Sequence, residues 1–205
     1  GAGEAVYPLS QHIGTPAVPV VSVGDRVRAG QKLAEAGGFV SAPIYSAFSG
    51  TVRALEPRTA AGGETVPCIV LETDAETEWI DPRFDPATSD VFNASSVAAY
   101  MASGAPGHLT AEDIRVAVRE AGVVGLGGAG FPTSVKLTPK NPDAIDRLIV
   151  NGAECEPYLT SDHRLMLERG EALVAGCRLL LRLFPGAVCV LAVENNKPDA
   201  IAHLS

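Results

Sequence analysis

No C-x-x-C pair and no short cysteine run occurs in these 205 residues; Cys68, Cys155, Cys177 and Cys189 stand far apart. That scatter argues against an iron–sulfur cluster or a structural zinc held by this chain alone, since both need thiolates converging from short loops. Free thiols buried as small hydrophobes, in a reducing compartment, are expected instead of disulfides. Basic residues are in deficit, 16 Lys and Arg against 24 Asp and Glu, for a formal net charge of −8. Nucleic acid is set aside as a partner, because its binders are usually basic along one face. Apolar runs fall far short of the roughly 20 residues that cross a bilayer, so no transmembrane helix is expected. The opening "GAGEAVYPLS" lacks the basic start and apolar core of a signal peptide, and no export address is expected. A hydrophobic content of 46% with 20% charged residues is that of a globular protein, and the length suits two small domains.

What is present divides along the chain. Residues 1–80 carry short β-branched runs, "AVPVVSV", "AFSGTVRAL" and "TVPCIVLET", separated by glycine-containing turns, and predict one small all-β domain. The rhythm of "PVVSVGDRVRAGQKLAEAGGFVSAPIYSAFSGTVRALE" resembles the barrel-sandwich hybrid of biotinyl and lipoyl domains. In such carriers a lysine at the hairpin tip receives the prosthetic group. Here the tip "EAGGFVS" has no lysine, and Lys32 lies earlier in a strand, so a structural or docking role is expected rather than swinging-arm carriage. Residues 81–108, rich in Pro, Asp, Ser and Ala, read as a linker with one short helix.

From residue 109 the period changes. "LTAEDIRVAVREAG" predicts a helix with Thr110 as N-cap and Gly122 at its end. "RLIVNGAE" and "AVCVLAVEN" predict buried strands, "SDHRLMLERGEALVAGCRLLLRLF" one long amphipathic helix between them, and "KPDAIAHLS" the start of another helix. Alternating helices and apolar strands predict a parallel sheet. The expected fold is thus an α+β two-domain chain, an N-terminal barrel-sandwich hybrid followed by part of an α/β Rossmann-like domain over 109–205. Only two clear strands appear before the chain stops, so an N-terminal fragment of a longer protein is expected.

"GLGGAGFPTSVKL", residues 125–137, matches G-x-G-x-x-G at Gly125, Gly127 and Gly130. The ordinary dinucleotide fingerprint needs a strand before the loop and a helix after it, whereas here a helix precedes and Pro132 follows. Two readings stand on the residues alone. Bare glycine backbone lets a phosphate or planar ligand approach the N–H groups, with Phe131 able to stack and Lys136 to supply charge. Otherwise the glycines serve packing, Phe131 is core and Lys136 is solvated. A second motif, "NGAECEPYLTSDHR" over 151–164, follows a strand at the end where α/β sheets place ligands. Its Asn151, Glu154, Glu156, Asp162 and His163 are expected to line a cleft, because such groups are costly in a core. The plainer alternative is a solvated acidic loop before a helix N-terminus.

The two motifs in this order resemble the flavin-bearing subunit family of respiratory complex I, and more closely the RnfC family of Rnf electron-transport complexes. The N-terminal "PLSQHIGTPAVPVVSVGDRVRAGQKLAEAGGFVSAPIYSAFSGTV" is similar to the front domain of RnfC, so the resemblance covers nearly the whole chain. It implies FMN held by Gly125, Gly127, Gly128, Gly130, Lys136, Asn151 and Glu154, with Phe131 and Glu156 facing NAD(H). It also implies NADH–flavin hydride exchange, 4Fe-4S clusters in a part of the protein absent here, other Rnf subunits as partners, ferredoxin reached indirectly, and peripheral attachment to the cytoplasmic face of the cell membrane. No catalytic side chain or metal ligand is expected in this stretch, and FMN binding by the fragment alone is expected to be weak. Leu126 and Ala153 stand where complex I subunits commonly have arginine and aspartate, so those contacts are not carried over. Alternatives are another RnfC-like flavoprotein, such as a cobalamin reductase or the electron-transfer protein associated with proline reductase, and a non-catalytic docking module.

Overall fold

The structure, a computed structural model, describes residues 3–60, 62–80, 110–154 and 156–205. The expected linker at 81–108 and Cys155 lie outside them. The described residues pack as two units. The first holds the N-terminal sheets together with Arg115–Thr138, and the second holds, of the described residues, 110–114 and Pro139–Ser205, so the division falls inside the first described helix.

The first unit is all-β apart from one helix and one turn. Its strands are β1 (Glu4–Pro8), β2 (Val18–Pro19), β3 (Arg26–Val27), β4 (Lys32–Glu35), β5 (Ile44–Tyr45), β6 (Gly50–Thr59) and β7 (Thr65–Thr73). They form a four-stranded antiparallel sheet, β1-β7-β6-β3, and a three-stranded one, β2-β4-β5. Val27, Leu33, Val52, Ile69 and Leu71 share one core, each at most 1% exposed. The run Cys68–Leu71 is buried at every residue rather than alternately, the pattern of a strand paired on both edges and covered on both faces. A bulge between Val52 and Ala54 shifts the β6–β7 register, as extra residues in antiparallel pairs do.

The hairpin tip is pinned. A Cβ on Gly37 would stand 2.1 Å from the Pro16 carbonyl oxygen, so only glycine permits this approach, and the Gly37 N–H donates to Ser41 Oγ at 2.9 Å. Lys32 is likewise engaged: its ammonium donates to Glu120 at 2.8 Å and Glu35 at 3.0 Å. The first of these contacts holds the Lys32 pKa above the ordinary lysine value.

The helix α1 (Ala111–Glu120) begins with a reciprocal cap: Thr110 Oγ1 accepts the Asp113 N–H at 3.1 Å, and Asp113 accepts the Thr110 N–H at 2.8 Å. Only Ile114 of its apolar residues is buried, and Val116 is exposed.

The second unit has β8 (Arg147–Asn151) and β9 (Val188–Ala192) paired in parallel, as the alternation predicts. Two expectations are corrected here. The strands are not fully buried: inward Leu148 and Val150 alternate with exposed Arg147, Ile149 and Asn151. The long helix is two, α3 (Ser161–Glu168) and α4 (Gly170–Leu181), because Arg169 leaves helical geometry at φ −130° and ψ 25°. A Cβ on Gly170, the first residue of α4, would stand 2.8 Å from His203 Nε2 of α5 (Pro198–Leu204), so a side chain there would require the His203 ring to move.

Candidate functional site

The glycine loop belongs to the first unit. The Gly125 N–H donates to the Phe131 carbonyl at 2.9 Å, and Val124 bridges the buried Pro132, so the segment closes as a small loop between α1 and the single turn α2 (Thr133–Lys136). Amides 126–130, inside that closure, have no backbone acceptor among the described residues. Gly128 and Gly130 take φ of +106° and +59°, which L side chains rarely adopt. No atom lies within 4 Å of where a Cβ would stand on Gly127 or Gly128, and Leu126 is 95% exposed, so this face of the loop is open. Lys136 turns back over it: its Nζ lies 3.1 Å from the position a Gly125 Cβ would take. Open amides in a loop with left-handed residues and a nearby ammonium are groups that can bind an anion. Phe131 is half-buried beside it.

Asn151, Glu154 and Glu156 belong to the second unit. Asn151 ends β8, and its Oδ1 accepts the Ala153 N–H at 3.1 Å, turning the chain off the strand. With Gly152 and Asp162 it lines a cavity of about 180 Å³ floored by Leu165, Met166 and Leu173. Of the residues expected to line a cleft, Asn151 and Asp162 line this cavity, and Glu154, Glu156 and His163 do not. His163 instead bonds Asp199 at 2.8 Å, tying α3 to α5, and Glu156 is exposed.

Glu154 folds inward and takes the role of a helix cap that Thr160 does not fill. One carboxylate oxygen accepts the Asp162 N–H at 3.1 Å and the Ser161 hydroxyl at 3.3 Å, at the start of α3. Its other oxygen, Oε2, is buried without a hydrogen-bond partner. Burial opposes ionisation, but the Asp162 N–H, the Ser161 hydroxyl, the His163 N–H and the Lys197 charge outweigh it, holding the Glu154 carboxyl below its usual range. Lys197, bonded to Glu194 at 3.1 Å, is a contributor that sequence reasoning missed; the spacing Glu194-x-x-Lys197 in "VENNKPDA" carries the signal. An ionised carboxylate with one unpartnered oxygen suits a hydroxyl or amide donor.

Residues 2–76 match a family model described as the RnfC barrel sandwich hybrid domain, and residues 118–205 match one described as the Nuo51 FMN-binding domain. Among curated proteins, the C subunit of the Na(+)-translocating ferredoxin:NAD(+) oxidoreductase complex of Acetobacterium woodii is 40% identical over 97% of this chain and 41% of its own length. The proton-translocating counterpart of Clostridium ljungdahlii is 38% identical, over 97% of this chain and 40% of its own. The C subunit of the ion-translocating oxidoreductase complex of Pseudomonas aeruginosa is 38% identical over 99% of this chain but 24% of its own length. The chain therefore spans well under half the length of these relatives.

Proposed function

The chain belongs to the RnfC family, and on that premise we propose that it forms the flavin- and NADH-handling front of one component of an Rnf-type ferredoxin:NAD oxidoreductase complex. The observation that carries this reading is the glycine loop: five consecutive amides without backbone acceptors among the described residues, an open face at Gly127 and Gly128, and Lys136 Nζ turned back over Gly125. FMN fits these groups. Its phosphate, set over Gly125, is an anion for the amides of Gly127, Gly128 and Gly130 and for Lys136, and its ribityl hydroxyls and ring edge are donors for Asn151 and for the orphaned oxygen of Glu154.

Bound FMN supplies the exchange between two-electron hydride and one-electron chemistry. This chain's residues hold and orient. Lys136 offsets phosphate charge, and Glu154, kept ionised by the α3 amides, gives a fixed acceptor that costs no reorganisation on binding. Phe131 and Glu156 face the nicotinamide nucleotide. In this reading β8 and β9 begin a Rossmann-like sheet, 4Fe-4S clusters belong to the part of the relatives that this chain does not span, and other Rnf subunits hold the protein at the cytoplasmic face of the membrane. No described helix is long and apolar enough to cross a bilayer.

The test is quenching of FMN fluorescence by this chain and by the longest natural form of the protein, each with and without Lys136→Ala. The long form is expected to bind FMN and to lose about tenfold in affinity on the substitution, as for a lost charge-assisted contact. The short chain is expected to bind weakly. Absence of FMN binding by both would return the loop to a packing role.

A further inference from the structure

Gln11 and His12 have no part in the reading above, yet two cavities of the first unit meet at them. One, of about 340 Å³, is also lined by Tyr45, Gly122 and Gly130. The other, of about 730 Å³, is also lined by Gly128 and by Glu64 of the β6–β7 hairpin. Both volumes lie in the range of small-molecule sites. The segment touches the glycine loop directly: the Gln11 carbonyl oxygen is 2.9 Å from where a Cβ on Gly130 would stand.

The hydrogen bonds these side chains already make decide what they offer a ligand. His12 Nδ1 lies 2.7 Å from the Ile13 carbonyl oxygen, which can only accept, so Nδ1 carries the hydrogen and Nε2 of the neutral ring is an acceptor. Gln11 Nε2 donates to the Pro8 carbonyl at 2.9 Å, leaving Oε1 as an acceptor. Glu64 adds a carboxylate, and no Lys or Arg is among the residues lining either cavity. One wall thus presents acceptors, while the loop beside it presents amide donors. A nucleotide carries both complements, phosphate oxygens for the amides and ribose hydroxyls for the acceptors.

We infer that Gln11, His12 and Glu64 hold ribose hydroxyls of the nicotinamide dinucleotide and set its preference for a 2′-hydroxyl over a 2′-phosphate. The inference rests on the nucleotide reading of the glycine loop. It is assigned to the dinucleotide rather than to FMN because Asn151 and Glu154 already provide acceptors for the ribityl hydroxyls. A 2′-phosphate would meet the Glu64 carboxylate and two lone-pair acceptors with no cation to offset it.

The experiment titrates the longest natural form first with FMN, then with NADH and with NADPH, for the wild type, His12→Ala and Glu64→Gln. Wild type is expected to prefer NADH. His12→Ala is expected to weaken NADH about tenfold, equivalent to one lost hydrogen bond to a buried partner, with FMN affinity unchanged. Glu64→Gln, on an exposed hairpin where the fold does not depend on it, is expected to narrow the NADH-over-NADPH ratio about tenfold. An unchanged ratio in Glu64→Gln, or an equal loss of FMN in His12→Ala, overturns the inference. If wild type takes FMN but neither dinucleotide, the inference falls while the flavin reading stands; if it takes no FMN either, the flavin reading fails and the inference falls with it.

Discussion

The antiparallel sheet of the first unit and the parallel pair of the second treat their apolar residues in opposite ways. In β7, Cys68, Ile69, Val70 and Leu71 are all buried, whereas in β8 and β9, Ile149 and Val188 are each 64% exposed. The first unit closes its own core, with β1 and β3 pairing strands far along the chain, β7 and β6. The second has one covered face among the described residues, against α3 and α4, and one open face. A parallel sheet is ordinarily covered on both sides, so its apolar sequence reveals a two-sided environment that these described residues do not supply. Stability measured on this chain is therefore expected to reside in the first unit.

Leu71→Ala gives the largest effect that could break this contrast. Deleting a fully buried leucine is expected to cost about 2–5 kcal/mol, read as a lower urea midpoint, while Val188→Ala is expected to change stability by less than about 0.5 kcal/mol. Equal losses would mean that both sheets are equally closed. Gly37→Ala comes next, because its Cβ collides with the Pro16 carbonyl; about 1–3 kcal/mol should be lost, with the shift confined to the first unit in amide exchange.

Acid should separate the units further. Asp199 is held below its usual range by the His163 ring and then by the Ala200 N–H, and Glu154 is held low despite burial by the α3 amides, the Ser161 hydroxyl and Lys197. Carboxyls depressed on folding stabilise the fold above their unfolded pKa, and the contribution is lost as pH falls through the lower folded value. Amide exchange in α3 and α5 is expected to quicken below about pH 4 while β6 and β7 stay protected, and Glu154→Gln should remove part of that pH dependence in α3. Simultaneous opening of all four elements would sink the idea.

Lys32→Ala gives the smallest effect. Its ion pairs with Glu35 and Glu120 are partly solvated, so a loss of no more than about 1 kcal/mol in urea denaturation is expected, shrinking with added salt.

Much of the fold was legible in the residues. β-branched runs between glycine turns marked the sheets, and apolar strands alternating with helices marked the parallel pair, while the spacing of Gly125, Gly127 and Gly130 left an open loop and a packing loop equally possible. The break at Arg169 was not legible, since a local helical pattern runs through it, and neither was the close approach of His203 to Gly170 beside it, 33 residues apart in the chain. Nor did the acidic loop disclose that Glu154 turns inward to cap α3 while Glu156 stays out, because both are equally polar in the string.

By itself the sequence determined most of the element types and the residues able to carry charge or expose bare backbone, for those follow from periodicity, composition and the chemistry of single side chains. Tertiary structure alone decided which of those residues share a wall. Gln11 and His12 border one cavity with Gly130 and another with Glu64 and Gly128 only because folding brings together segments far apart in the chain, and neither side-chain propensity nor local spacing encodes that approach.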